Sequence, residues 1–119
     1  MIPSFLLAKL YVKNSLKNTD SGFEFTLKNI IDNTMLVGIG PVTVGDKSYE
    51  GAALTLTAGD KTVSGADLTR QTGVPARVGM LLKVVVTGEK LAAGPQKITV
   101  GGTSSDIGKF KLDISDTVA

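Results

Sequence analysis

The chain has 119 residues, 42% hydrophobic and 20% charged, a globular balance that excludes wholesale disorder. Its 13 basic and 11 acidic side chains leave a net charge of +2 without any basic run, which excludes nucleic-acid binding driven by charge. Cysteine and histidine are both absent, and with them go disulfide frameworks, zinc and other thiolate or imidazole metal sites, the Ser-His-Asp triad and the Cys-His dyad.

Acid–base chemistry is therefore left to carboxylates, lysines or the two tyrosines. A chain of this length can bury about two-thirds of its unfolded surface, so residues 1–119 are expected to form a single domain without staples. No apolar run approaches the roughly 18 residues of a membrane span. MIPSFLLAKL has no positive residue ahead of its apolar run, and that run is too short for a secretion signal. The expectation is a soluble, cytoplasmic protein with neither a nucleic-acid nor a membrane partner.

In chain order, FLLAKLYVK (5–13) reads as a first strand. Leu6, Ala8, Leu10 and Val12 share one face, while Phe5, Leu7 and Tyr11 remain on the other beside Lys9 and Lys13. SLKNTDSGFEFTLKN (15–29) then carries the triplet Leu-Lys-Asn twice, at Leu16–Asn18 and Leu27–Asn29, around the turn Asp20-Ser21-Gly22. Phe23, Phe25 and Leu27 alternate with Glu24, Thr26 and Lys28, the pattern of a half-buried strand.

In MLVGIGPVTV the apolar positions are Val37 and Ile39 before Gly40-Pro41, but Val42 and Val44 after it. Such a switch of parity calls for a bulge or corner, and Pro41 should stand outside a central ladder. GPVTVGDKS (40–48) is close to a phosphate-binding loop. Asp46 intrudes before Lys47, however, and no helix follows to hold a phosphate.

Leu54–Thr57 and Lys61–Ser64 flank Gly59-Asp60 as a two-residue hairpin. Ala66–Gln71 is the only stretch expected to hold a helical turn. In MLLKVVVT, Met80, Leu82, Val84 and Val86 form a core face and leave Leu81 and Val85 over. Ile98 and Val100, then Phe110, Leu112 and Ile114, complete the alternating strands. Short strands at spacings of about ten residues, separated by Gly, Asp and Pro turns, indicate an immunoglobulin-like antiparallel β-sandwich of about 7–9 strands.

The acidic residues fall mainly in turns. Asp20, Asp60 and Asp106 are weak Ca²⁺ candidates, because loops at one end of a sandwich can pool oxygen ligands, although no D-x-D-x-D-G loop is present. No catalytic residue and no cofactor are assigned. Phe5, Leu7, Tyr11, Leu81 and Val85 are candidate interface residues, since solvated faces of sandwich strands are normally polar.

SLKN followed by GFEF resembles the opening of the small (β) subunit of bacterial C-glycoside deglycosidases. VTVGD (42–46), Ala53–Thr57, Val63–Leu68 and VVVTGEKLAAGPQKITV (84–100) are similar, in order, to that family's later strands and turns. The resemblance implies a β-sandwich attached to a TIM-barrel subunit that carries the metal and the catalytic residues. It implies an accessory role for this chain. The expected function is thus a non-catalytic subunit docked on a larger enzyme or on a second copy, the alternative being a stand-alone small-ligand or Ca²⁺-binding module.

Overall fold

The computed structural model describes residues 4–118, with side chains from Leu6 to Val118. A short helix, α1 (Ser4–Ala8), precedes ten strands: β1 (Lys17–Thr19), β2 (Gly22–Lys28), β3 (Thr34–Val44), β4 (Lys47–Tyr49), β5 (Leu54–Ala58), β6 (Lys61–Ser64), β7 (Val74–Ala76), β8 (Leu81–Thr87), β9 (Gly94–Ser104) and β10 (Gly108–Val118). One sheet has the order β1-β2-β8-β5-β6. The second has the order β10-β9-β3-β4, with β7 also paired to β3. Every pairing is antiparallel.

The all-β sandwich is as the alternation requires. Phe23, Phe25, Leu54, Leu56, Val84 and Val86 from the first sheet meet Val42, Ile98, Val100, Leu112 and Ile114 from the second, each 2% exposed or less. Burying such side chains contributes about 1.5–3 kcal/mol each. The Gly59-Asp60 hairpin forms as expected, with Ala58 opposite Lys61.

The expected first strand does not form. Residues 4–8 are helical, and further i−3 hydrogen bonds continue the turn, from Lys9 N–H to Leu6 O (3.1 Å) and from Leu10 N–H to Leu7 O (3.0 Å). Leu7 and Leu10, three residues apart, thereby face the core together. The period-2 reading failed because a short apolar run fits either period until its surroundings decide. The chain then lies across the sandwich edge, held to β2 by Val12 N–H to Thr26 O (2.9 Å) and Lys28 N–H to Leu10 O (2.7 Å).

The repeated Leu-Lys-Asn triplet has a structural meaning. In both copies the leucine is core, the lysine is exposed, and the asparagine amide ties down a distant piece of backbone. Asn18 donates to Leu91 O (2.9 Å) and accepts from Leu91 N–H (2.8 Å). Asn29 donates to Ala76 O (2.7 Å) and Asp32 O (2.8 Å) and accepts from Ile31 N–H (3.1 Å).

Strand β3 contains the expected irregularity at Gly40-Pro41, where three residue steps on β3 span two on β9. The strand stays in its own sheet instead of crossing over, and a second bulge between Leu36 and Gly38 lets both Leu36 and Val37 be buried. The helical turn expected over 66–71 is a single 3-10 turn at Gly65–Asp67, begun by Ser64 Oγ accepting from Ala66 N–H (3.2 Å). A second 3-10 turn, Gly51–Ala53, has no signal in the pattern.

Candidate functional site

The sandwich ends in two poles. One gathers the β1–β2 turn, the β3–β4 turn and the connection from β8 to β9. At this pole Tyr49 packs edge-on to Phe23, with ring centroids 6.0 Å apart and planes at 77°. The Tyr49 ring lies over Gly88, where an added Cβ would come within 2.3 Å of it. Lys47 forms an ion pair with Glu89, and the same contact raises the Lys47 pKa. With Asn18 holding Leu91, this pole is sealed.

The other pole gathers the connections β2–β3, β7–β8 and β9–β10. They are tied together by hydrogen bonds from Gly79 N–H to Asn29 O (2.7 Å), Asn29 N–H to Met80 O (3.1 Å), Val78 N–H to Asn33 Oδ1 (2.8 Å) and Ser105 N–H to Met35 O (2.9 Å). The exposed large hydrophobic residues among those described all sit here: Ile30 (40%), Met35 (38%), Val78 (54%), Leu81 (54%) and Ile107 (40%). Apolar side chains left exposed at one end of a domain are candidates for an interaction site.

Beneath the pole, between the sheets, is a cavity of about 60 Å³ lined by Leu7, Leu10, Ile31, Leu36, Ile107 and Phe110. Ser104 borders it, but its Oγ is engaged by Ile107 N–H (2.9 Å), Asp106 N–H (3.3 Å) and the Thr34 hydroxyl (3.2 Å). An apolar void of this size suits an aliphatic group. Beside it runs a groove of about 430 Å³ that includes Met35, Pro75, Arg77 and Asp106.

A groove of about 500 Å³ on the outer face of the second sheet carries Lys109 and Lys111. Its floor at Gly101 has a local cause: a Cβ there would come within 2.9 Å of Gly40 O across the bulge.

The residues singled out in the sequence divide. Leu81 is at the apolar pole. Leu7 is core, at 8% exposure, and so is no interface residue: the helix turns it inward. Tyr11 is a half-buried clasp, its hydroxyl donating to Asp116 Oδ2 (2.6 Å) and accepting from Leu16 N–H (2.9 Å). Asn14 N–H also reaches Asp116 Oδ2 (2.8 Å), so the N-terminal segment joins β2 to β10.

Burial, then the Asp116 contact, raises the Tyr11 pKa. Hydrogen bonds from Tyr11, Thr117 N–H and Asn14 N–H hold the Asp116 pKa below the ordinary carboxylate value. Val85 is half-buried on the outer face of the first sheet, paired with Glu24 and Thr55. Lys83, which separates it from Leu81, is ion-paired to Glu24 (3.1 Å). The two valine and leucine positions therefore form no continuous apolar face. Phe5 lies in α1, with its side chain outside the described residues.

The Ca²⁺ candidates are not brought together. Asp20 is in the β1–β2 turn at the sealed pole, while Asp60 and Asp106 occupy separate turns at the other end. No group of three or more His, Cys, Asp or Glu residues able to hold a metal ion occurs among the described residues. Among those residues, too, no helix is long and apolar enough to cross a membrane.

Ile30, Met35, Val78 and Ile107 were missed in the sequence. Their signal was an apolar residue inside a turn-rich stretch, as in NIIDN, PARVGM and SSDIGK, or out of phase at a strand start.

Residues 6–119 match the family described as hydroxymethylglutaryl-CoA reductase, N-terminal domain. The chain belongs to that family. This overturns the resemblance to the small subunit of C-glycoside deglycosidases. The residues that carried it, Leu16, Phe23, Phe25 and Asn18, answer general needs of a sandwich opening: three are core and the fourth pins a loop. The match covers nearly the whole chain, including the apolar pole. No curated protein matches the chain.

Proposed function

We propose that this domain is a non-catalytic docking module whose apolar pole seats a protein surface. The observation that carries the reading is the segregation of every exposed large hydrophobic residue among those described to one pole, where one of them, Ile107, also lines an apolar cavity, while the opposite pole is sealed. The family description supports it, since it names an N-terminal domain and not a catalytic one. So does the chemistry of the chain, which has no His or Cys and spends both tyrosines on clasps.

The strand order supports it as well. The run β1-β2-β8-β5 facing β10-β9-β3 follows the ABED-over-GFC order of immunoglobulin-type sandwiches, an architecture frequent in cell-surface recognition domains. Fold alone assigns no function, so the pole bears the argument.

The test is a pair of substitutions, Val78→Asp and Leu81→Lys, read by binding of an apolar fluorescent dye and by thermal melting. The reading expects dye binding to fall severalfold with the melting curve unchanged. A lowered melting temperature with dye binding intact would show these residues to be part of the core and end the proposal.

A further inference from the structure

Independently of what seats on the pole, we infer that the cavity beneath it binds the end of an aliphatic chain, about four to six carbons long, entering from the pole. Protein interiors pack so closely that voids larger than a water are few. This cavity, at about 60 Å³, has about four to six times the room that admits a single water. A methylene is similar in size to a water, which sets the length of chain.

The residues themselves leave the space open. Along the inner face of β9 the side chains shrink toward this pole, from Ile98 and Val100 to Gly102 and Ser104. The room over Gly102 is taken by the Phe110 ring, which an added Cβ would meet at 2.5 Å. The room beside Ser104, and beside Ala76 of β7, is not filled: both residues are buried and both line the cavity. Helix α1 and the turn after it supply a further wall in Leu7 and Leu10.

Polarity changes from the mouth to the depth. The polar lining residues are Lys28, Asn29, Asp32, Thr34 and Ser104, at the end of β2, in the β2–β3 connection, at the start of β3 and at the end of β9. All of these positions are at the pole. Leu56, Val84 and Ile39, from the middle of β5, β8 and β3, line the depth. A buried water needs about two to four polar partners, and these side chains offer none. A methylene chain needs none, and gains from every carbon it removes from water. A polar mouth over an apolar depth therefore suits an amphiphile bound tail first. Its head would remain hydrated beside Lys28 and Asp32, which are exposed.

The test titrates the purified chain with straight-chain 1-alkanols from propanol to decanol and follows the methyl resonances by NMR. Affinity should rise about fourfold with each added carbon and flatten near about six, since further methylenes stay in the mouth. Shifted methyl groups should be those of lining residues such as Leu7, Leu56 and Val84, with Val78 and Leu81 unmoved. Ala76→Leu, which fills the space, should weaken binding by about tenfold or more. Val84→Ile takes up less of it and should bring the plateau forward by about one carbon, a second reading should the Ala76 variant not fold.

Affinity that climbs without a break to decanol, or shifts at Val78 and Leu81 in place of the lining methyl groups, overturns the cavity as the site. Binding that survives Ala76→Leu in a folded chain, together with a plateau unmoved by Val84→Ile, overturns it too, as does the absence of binding by every alkanol. Leu81→Lys should leave alkanol affinity unchanged. The docking reading can therefore fail on its dye and melting test while the cavity stands, and the cavity can fail while the docking reading stands.

Discussion

The two poles of the sandwich are closed by different means. At one, a tyrosine lies over a glycine, an aromatic pair fills the gap, and an asparagine grips the β8–β9 connection. At the other, asparagines tie the loops together from within, while five large apolar side chains face solvent. Both ends tie their connections together with hydrogen bonds. Only one of them also buries its apolar atoms. Closing a sandwich therefore needs hydrogen-bonded loops, and an exposed apolar surface beyond that is a feature added to the fold.

The contrast is testable by substitution, beginning with the largest effect. Phe23→Ala, which empties a fully buried site behind Tyr49, should cost about 3–5 kcal/mol in denaturant unfolding. The two triplet asparagines come next. Asn29→Ala leaves three backbone groups without partners and should cost about 2–3 kcal/mol, against about 1–2 kcal/mol for Asn18→Ala, which leaves two. Equal losses at the two positions would show that the poles are held equally tightly.

The clasp of the N-terminal segment should respond to pH. The folded pKa of Asp116 is depressed, so its contribution to stability is present above the unfolded carboxylate range and is lost as pH falls through the folded value. The Tyr11 pKa is raised, so its contribution holds below the unfolded phenol value and disappears as pH rises through the folded one. Chemical denaturation across pH should therefore show Asp116→Asn less stable than the parent at neutral pH and equal to it once Asp116 is protonated. A constant difference down to the lowest pH would mean that the carboxylate charge is not what holds the clasp.

The smallest effect sharpens the comparison most. Leu81→Ala at the apolar pole should change stability by no more than about 0.5 kcal/mol, although it removes the same atoms as a core leucine substitution. A loss of about 2 kcal/mol or more, the range of a buried leucine, would place Leu81 in the core.

The strands were legible wherever one face is buried and the other wet. Phe23, Phe25 and Leu27, or Phe110, Leu112 and Ile114, sort by alternation because a one-residue slip would put each of them in water. The parity change at Gly40-Pro41 was legible for the same reason, and the Gly59-Asp60 turn from its residue types. The N-terminal helix was not, since FLLAKL is apolar at both periods and its conformation depends on where β2 and β10 leave space.

Of the site, only Leu81 was visible. Ile30, Val78 and Ile107 share one pole because three connections end there, and no local pattern records that.

By itself, the order of residues determined an antiparallel sandwich without thiolate or imidazole chemistry, because alternation and composition act locally and need no knowledge of partners. Tertiary structure alone decided which asparagine holds which loop, that both tyrosines are clasps, and that the unburied apolar residues share one pole. Those outcomes depend on contacts between segments as distant as Tyr11 and Asp116, which are set by how the two sheets stack and not by any neighbour in the chain.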